Sequence, residues 1–549
     1  MDRIAPLLAA VSLLIAPAAA LAAGPPSLSD CQKALHVLNR LGFGPRPGDV
    51  ERVLSMGLPA YIEEQLHPER LADPVVDVKL AGLPTVRMTD AELVEGFEKP
   101  LRNARRVAEK EFGAVSEANM EASKAYNQTI HDLVPQVSRP ERVLEELTRA
   151  RILRAASSEA QLNELLVDFW MNHFNVFAGK DTDRVLLTTF EREVIRPHIW
   201  GCFRDLLLAT AKSPAMLFYL DNWQSVADPD HRPGFVPPVL PPDPDAKPPA
   251  GLNENYAREI LELHTLGVDG GYTQLDVVEL ARIFTGWGIA YPEEGGGFLF
   301  RMRQHDICAK TVLGRSFSAW RGVDEGEEAI AQLARHPSTA RHIALQLCQR
   351  LVADDSPEEL IQRVAARFLD TDGDLRETVR AIIESPEFFQ PRFYRAKVKS
   401  PLEYIVSAIR ALGGTTDGGG ALHHYFAVTG EPLYLCAPPT GYSNSSAAWV
   451  NTGTMLARFN FAFALASGKL VGTDVDVKSV LPPEARSDPK RAAETLSQLL
   501  FAGDLSSDTR RRLAECVLER DTPYLAQQKD PKIALIAGTL LASPEFQKR

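Results

Sequence analysis

The sequence lacks the short motifs that identify several large classes of enzymes and carriers. Its six cysteines form no CxxC or CxxCH pattern, so neither a c-type haem nor a thioredoxin-like dithiol is indicated. No Gly-x-Ser-x-Gly elbow, P-loop or dinucleotide fingerprint lies in a suitable context, which removes those signals of hydrolases and nucleotide-binding proteins. The formal net charge of −12 argues against nucleic-acid binding, which usually requires a basic face.

Long apolar runs are also scarce, and the longest lies near the N-terminus, at residues 5–15. It follows Arg3 and precedes an Ala-Leu-Ala triplet at 20–22, which is the order found in a secretory signal. The run is shorter than the ~20 residues of a spanning helix, which favours cleavage over a retained anchor. We therefore predict a signal peptide at 1–22, a periplasmic or secreted protein, and no membrane span in the mature chain.

Helical periodicity occupies most of the remaining chain and predicts an all-α fold. We expect a main helical domain over residues 23–412 and a C-terminal helical part over residues 413–549 that packs on it. A proline-rich stretch at 226–250 breaks the periodicity and predicts an exposed insertion. A small β-hairpin is expected near 295–305, where glycines precede alternating aromatic residues.

The segment 252–266 concentrates polar side chains on one predicted helix. At 100° per residue, its polar face contains Glu254, Asn255, Arg258, Glu259 and Glu262. Such a face fits either a solvated surface with i,i+4 ion pairs or a pocket wall that supplies an acid, a base or a ligand. His264 falls on the apolar face, so this segment is not a self-contained metal motif such as HExxH.

A second polar cluster occupies residues 168–176 on another predicted helix. His173 continues an apolar stripe, whereas Asp168, Asn172 and Asn175 form an adjoining polar stripe. Either His173 or His264 alone is compatible with a hydrogen-bonded core histidine. Because facing helices commonly bring inward side chains together, the two histidines also fit one shared buried centre.

Further polar residues flank a loop region that follows the helices. Asp221 and Asn222 precede the proline-rich stretch, and His305, Asp306 and Lys310 follow the expected hairpin. We expect the His305-Asp306 pair to be exposed and the histidine to titrate near neutral pH.

The remaining patterns indicate no cofactor. The run Asp370-Thr-Asp-Gly-Asp374 lacks the glycine and glutamate positions of an EF-hand, so it predicts a turn and a helix cap. No haem, nucleotide or EF-hand calcium signal is present, and a metal ion bound by other residues is left open. A Ser-Pro-Glu-Phe sequence occurs twice, at 385–388 and 543–546, and we interpret it as a recurring helix terminator.

Several motifs occur in one order along the chain, and the order is more specific than any single motif. They are His36-Val-Leu-Asn-Arg-Leu-Gly-Phe-Gly44, Trp170-Met-Asn-His-Phe174, Leu252-Asn-Glu-Asn-Tyr-Ala-Arg-Glu259, Leu263-His-Thr-Leu-Gly267, Thr285-Gly-Trp287 and Lys399-Ser-Pro-Leu-Glu403. The set resembles the domain-of-unknown-function 1800 family from about residue 33 to the end. The resemblance implies a helical, commonly exported bacterial protein and supplies no reaction. It also implies an envelope partner from the domain-of-unknown-function 1501 family, whose fold is similar to alkaline phosphatases and sulfatases.

Two hypotheses of function follow. The first is a hydrolytic or other acid–base enzyme of the cell envelope, with a pocket where the helices at 162–177 and 252–266 meet the loop at 285–310. Its predicted catalytic residues are His173, Glu254, Glu259, His264, His305 and Asp306. Its predicted substrate-binding residues are Asn172, Asp221, Asn222, Asn255, Arg258, Lys310 and Trp287, the last by stacking on a ring. The second is a non-catalytic envelope module that binds a partner and exposes the polar face of 252–266.

Overall fold

A computed structural model describes residues 27–113, 120–233, 251–291, 294–518 and 530–549. The predicted signal peptide and most of the predicted proline-rich insertion lie outside these ranges. Helices dominate the described part and its strands form only two-stranded pairs, so the predicted all-α class is confirmed.

The helices of the N-terminal half are mostly short and follow one another closely. They are α1 (Asp30–Arg40), α2 (Asp49–Met56), α3 (Leu58–Leu66), α4 (Pro74–Leu80), α5 (Asp90–Leu93), α6 (Lys99–Phe112), α7 (Met120–Leu133), α8 (Pro140–Ser157), α9 (Gln161–His173), α10 (Asp183–Thr189), α11 (Phe203–Ala211) and α12 (Pro214–Tyr219).

The rest of the described chain continues the helical pattern. Its helices are α13 (Glu254–Glu259), α14 (Gln274–Phe284), α15 (Val323–Ala334), α16 (Pro337–Leu351), α17 (Glu358–Asp370), α18 (Leu375–Ile383), α19 (Pro401–Ala411), α20 (Gly420–Thr429), α21 (Thr452–Ala466), α22 (Pro489–Phe501), α23 (Ser507–Leu518) and α24 (Pro531–Ala542). Asp374 caps α18 by accepting a hydrogen bond from the Glu377 amide at 2.9 Å, as the turn-and-cap interpretation predicts.

One continuous hydrophobic core joins helices that are distant in sequence. It contains Leu38 of α1, Leu166 of α9, Leu347 of α16, Ile405 of α19 and Leu541 of α24. The hydroxyl of Tyr404 in α19 donates to the carbonyl of Leu541 at 3.2 Å. The last helix therefore packs into the same core as the first.

The segment predicted as one regular helix over 252–266 is not regular. Asn253 accepts a hydrogen bond from the Tyr256 amide, so the α-helix begins at Glu254. From Ile260 to Thr265 the backbone is π-helical, and the amide of Leu266 donates to the carbonyl of Leu261 at 2.8 Å. The side-chain directions predicted at 100° per residue are therefore wrong beyond Ile260, because a π-turn contains one more residue than an α-helical turn.

Small β-hairpins interrupt the helices after α14. Strand β1 (Trp287–Ile289) pairs antiparallel with β2 (Phe298–Phe300), so the predicted hairpin is present and its first strand precedes the glycines. A second hairpin joins β3 (Lys310–Val312) to β4 (Arg315–Phe317), and β5 (Thr415–Thr416) pairs with β6 (Thr473–Asp474). The sequence did not predict these last two pairs, because segments of two or three residues are too short to show alternation.

Two further features concern the predicted cellular environment. Within the ranges given above, no helix combines the length and the apolarity needed to cross a membrane. All six cysteines lie in these ranges and none of them forms a disulfide bond there, and Cys348 is fully buried in α16.

Candidate active site

The last residue of α9, His173, lies at the centre of a group of neutral polar contacts. Its Nε2 donates to the backbone carbonyl of His264 at 3.2 Å, and its Nδ1 lies 3.3 Å from the side-chain amide of Gln346. The rings of His173 and His264 have centroids 6.2 Å apart. The structure therefore brings together the two histidines that sequence periodicity placed on apolar stripes, and the direct hydrogen bond runs to the backbone of His264.

A third histidine, which the sequence analysis missed, completes this group. The ring of His342 in α16 lies 6.1 Å from that of His173, and its Nε2 lies 3.3 Å from the carbonyl of Leu263. The side-chain amide of Gln346, one helical turn later, lies 2.9 Å from the same nitrogen. The only sequence signal was the i,i+4 spacing of His342 and Gln346, which by itself indicates no site.

All three imidazoles are neutral at physiological pH. Burial, with a smaller contribution from His342, lowers the pKa of His173 to about 4. Burial, with contributions from His173 and His342, lowers the pKa of His264 to about 3. Burial also lowers the pKa of His342. Within the described ranges, the Nε2 atom of His264 has no hydrogen-bond partner, and its ring packs on that of Phe174 with ring centroids 5.1 Å apart.

His173 also forms part of the wall of an open cleft with a volume of about 310 Å³. We call this the histidine cleft, and its walls are Asn172, His173, Leu263, Gln346, Gln349, Asp354, Thr440 and residues 442–445. The side chain of Asn172 fixes the opposite loop, because it donates to the carbonyl of Tyr442 at 2.8 Å and accepts from its amide at 2.7 Å. Residues 442–445, which include Ser443 and Ser445, therefore line the cleft opposite His173.

A second pocket adjoins the histidine cleft and shares Asn172 and residues 442–444 with it. In this arginine pocket, Asp168 forms ion pairs with Arg151 and, at 2.6 Å, with Arg350. The carboxyl group of Glu431 lines the same pocket and accepts a hydrogen bond from the Leu402 amide at 2.7 Å. Burial, reinforced by Asp168, raises the pKa of Glu431 to about 7. The pocket thus contains a carboxyl group that retains its proton close to neutral pH.

The predicted polar face of 252–266 contributes no residue to the walls of these two pockets, and the segment's only residue in the histidine cleft is Leu263, which is not on that face. Arg258 lies 3.4 Å from Glu254, and Glu254 also accepts from Gln274 at 2.7 Å. Glu259 is half-buried, and burial followed by the charge of Glu262 raises its pKa. Asn255 is exposed. These contacts are those of a paired surface rather than of a cleft lining.

His305 and Asp306 belong to a different cluster, and the expectation that they are exposed is wrong. Both are enclosed, with relative exposures of 0% and 1%. His305 Nδ1 lies 2.9 Å from the carbonyl of Thr285, and its Nε2 lies 3.1 Å from Glu325. Lys310 is buried with them and lies 2.5 Å from the same carboxylate. The segment is irregular, yet its charged groups are paired inside the protein. Its loop character alone does not predict this burial.

Three other predicted substrate-binding residues have structural contacts. Trp287 is fully buried and packs edge-on against Phe284 with ring centroids 5.0 Å apart, so it cannot stack on a substrate. The side-chain amide of Asn222 donates to the carbonyls of Phe284 and Trp287, at 3.2 and 3.1 Å. Asp221 lies 2.7 Å from the ammonium group of Lys180 on the surface.

One group in the described ranges has ligand atoms close enough together for a metal ion. Single donor atoms of His231, Asp306 and Cys308 lie within 4.8 Å of one another. Arg282 already donates to both oxygens of Asp306, at 2.8 and 3.2 Å. Although burial opposes its ionisation, these hydrogen bonds hold the pKa of Asp306 below its ordinary value. The group fits a cation poorly, because a guanidinium group already balances its carboxylate.

Comparison with known proteins identifies the family. The sequence model for a protein family of unknown function, DUF1800, matches residues 36–548. The chain belongs to the DUF1800 family. The match covers both pockets and confirms the resemblance inferred from the ordered motifs. Searches of curated proteins and of solved structures found no significant match, so these comparisons assign no reaction to the protein.

Proposed function

We propose that this DUF1800 protein is an exported acid–base enzyme of hydrolytic type that acts in the histidine cleft. The observation that supports it is a neutral imidazole, His173, in the wall of an open cleft that adjoins a proton-bearing carboxyl group, Glu431. Pairs of titratable groups whose surroundings push their pKa values apart are typical of acid–base sites. Here the imidazole loses its proton far more readily than the carboxyl group does.

In this proposal His173 accepts a proton from a nucleophile, and Glu431 donates one to a leaving group. The available nucleophiles are water and the hydroxyl groups across the cleft, of which Ser443 is one. The reaction requires His173 to be neutral and Glu431 to be protonated. Because the pKa values are about 4 and about 7, kcat/KM should be highest between these values and fall on both sides.

The test is a panel of ester, amide, phosphoester and glycoside substrates assayed with the purified mature chain. For any substrate that is turned over, H173Q should lower kcat/KM about 10²- to 10⁴-fold, the usual contribution of a general acid or base. H131Q is the matched control, because the side chain of His131 is 59% exposed on α7. E431Q should remove the alkaline limb of the pH profile. Equal activity of H173Q and the unsubstituted protein would contradict the proposal.

Export and the partner are parts of the same proposal. The apolar N-terminal run supports export, and cell fractionation with N-terminal sequencing would test it, since a mature chain starting near residue 23 is expected. The family resemblance supports a partner from the domain-of-unknown-function 1501 family. Co-purification from the envelope fraction would test this association. A stable complex together with an inactive panel would favour the non-catalytic binding module instead.

A further inference from the structure

A third cavity shares no lining residue with the histidine cleft or the arginine pocket. Its polar walls come from both ends of the chain and include His36, Arg46, Arg395, Lys399, Ser407 and Arg549. Arg46 is neutralised by Glu159 at 2.7 Å, and Arg395 lies 3.4 Å from Asp504. The positive charges that lack a counter-ion therefore belong to cations that are more deeply buried than Arg46 and Arg395.

Two of these cations have no carboxylate within 4 Å in the described part of the chain. Arg40 has no exposed surface, and its guanidinium group donates one hydrogen bond, to the carbonyl of Phe393 at 2.8 Å. Its Nε and Nη1 atoms have no partner. Lys399 is 4% exposed and donates to the hydroxyl of Ser407 at 3.1 Å. Burying an unpaired cation is costly, so a counter-charge is expected close by.

Arg549 shows the same deficit directly at the cavity wall. It is 2% exposed, and its Nη2 donates to the carbonyl of Arg350 at 2.7 Å and lies 3.0 Å from Glu403. Glu403 is shared with Arg350, which lies 3.1 Å away. Among the described residues, the Nε and Nη1 atoms of Arg549 have no partner. Two unsatisfied donor nitrogen atoms thus belong to one guanidinium group that lines the cavity.

The carboxylate of Glu545 at this cavity does not supply the missing charge. Glu545 lines the cavity, but its carboxylate accepts hydrogen bonds from the Ser506 amide at 2.9 Å and from the Thr509 hydroxyl at 2.9 and 3.0 Å. The excess of positive charge also affects titration. Burial, and then the charge of Arg40, lowers the pKa of His36, and burial lowers that of Lys399 to about 7.

We propose that this cavity binds a small tetrahedral oxyanion of the phosphate type, held by Arg549 and Lys399. Guanidinium and ammonium groups are the side chains that bind such anions most strongly, and a buried site strengthens each charge-assisted hydrogen bond. The site is independent of the proposed acid–base reaction.

The sequence motifs that the acid–base site leaves unused converge here. His36 and Arg40 come from the first family motif, and Lys399 begins the last one. Both Ser-Pro-Glu-Phe repeats supply an aromatic ring. Phe388 packs on His36 with ring centroids 5.0 Å apart, and the ring of Phe546 lies 3.9 Å from the Lys399 nitrogen. The repeats therefore do more than terminate helices, because the ring of Phe546 lines the cavity and that of Phe388 packs on His36.

The test is calorimetric titration of the full chain with sodium phosphate, against sodium chloride at matched ionic strength. Binding of one phosphate per chain and a rise of a few degrees in Tm are expected. K399M should bind phosphate roughly tenfold more weakly or worse, since it loses a charge-assisted hydrogen bond. K490M is the matched control, because Lys490 is exposed on α22. Without phosphate, K399M should unfold at the same or a higher temperature, since a buried cation has been removed.

Two results would overturn the proposal. One is a Tm of the unsubstituted protein that responds equally to phosphate and to matched chloride. The other is equal phosphate affinity in K399M and the unsubstituted protein. If K399M does not fold, phosphorus NMR of the unsubstituted chain decides the question, because line broadening at substoichiometric protein is expected for a bound phosphate. Methyl phosphate in the same titration distinguishes a free inorganic ion, which it would replace poorly, from a phosphate group of a larger ligand.

Discussion

The two buried histidine clusters of this protein differ in the charge of their partners. The contacts of His173 are an amide, a carbonyl and other neutral rings, and its imidazole lines an open cleft. His305 contacts the carboxylate of Glu325, which also binds Lys310, and the whole group is enclosed. A neutral imidazole beside solvent is available for proton transfer, whereas a histidine in a closed ion-pair network stabilises the fold. Three predictions test this comparison.

The largest effect is expected from breaking the enclosed cluster. E325Q would remove the closer of the two carboxylates beside the buried Lys310, at 2.5 Å against 3.8 Å for Asp306, which should lower the free energy of unfolding by about 3–5 kcal/mol. Urea denaturation followed by circular dichroism measures this loss. The matched control is E95Q, whose carboxylate is 70% exposed and pairs with Lys99 on the surface. In E95Q the free energy of unfolding should fall by no more than about 1 kcal/mol. A loss of similar size in E325Q would show that the cluster is not a stabilising network.

An intermediate effect is expected in the acid stability of the histidine cleft. His264 has a pKa of about 3 in the folded protein, so between this value and about 6.5 only the unfolded chain binds the proton. Stability contributed by the neutral ring is therefore lost as pH falls below about 6.5, at about 1.4 kcal/mol per pH unit. In H264F the slope of unfolding free energy against pH should flatten by about one proton between pH 4 and 6.

The measurement is urea denaturation of both proteins at several pH values, in which only the slopes are compared. H131F is the control, since the side chain of His131 is 59% exposed on α7. Parallel slopes for H264F and the unsubstituted protein would mean that the fold does not keep His264 neutral, and the description of the His173 group as neutral would be wrong.

The smallest effect is expected on the polar face of 252–266. E254Q removes the partner of Arg258, an i,i+4 pair that is half-exposed, so the free energy of unfolding should change by about 0.2–0.5 kcal/mol. Its kcat/KM for any substrate identified in the panel should equal that of the unsubstituted protein. A clear loss of activity would place this face at the active site and restore the pocket-wall interpretation.

The sequence allowed the helical class and the meeting of His173 with His264 to be predicted, since both depend on periodicity. The contribution of His342 could not be predicted, because only packing of α16 against the π-helical segment brings it there. The burial of His305 was missed for a related reason. Its partner Glu325 lies twenty residues away in α15, and no local pattern indicates such a pair.

The hydrogen bond that holds His173 depends on the number of residues in the π-helical segment rather than on which side chain is present at position 264. His173 donates this hydrogen bond to the backbone carbonyl at 264, so any residue at this position can accept it. Deletion of a single residue between Ile260 and Thr265 would instead restore regular α-helical turns and rotate that carbonyl to another face. The histidine cleft would thus tolerate substitution at 264 but not an insertion or deletion between Ile260 and Thr265.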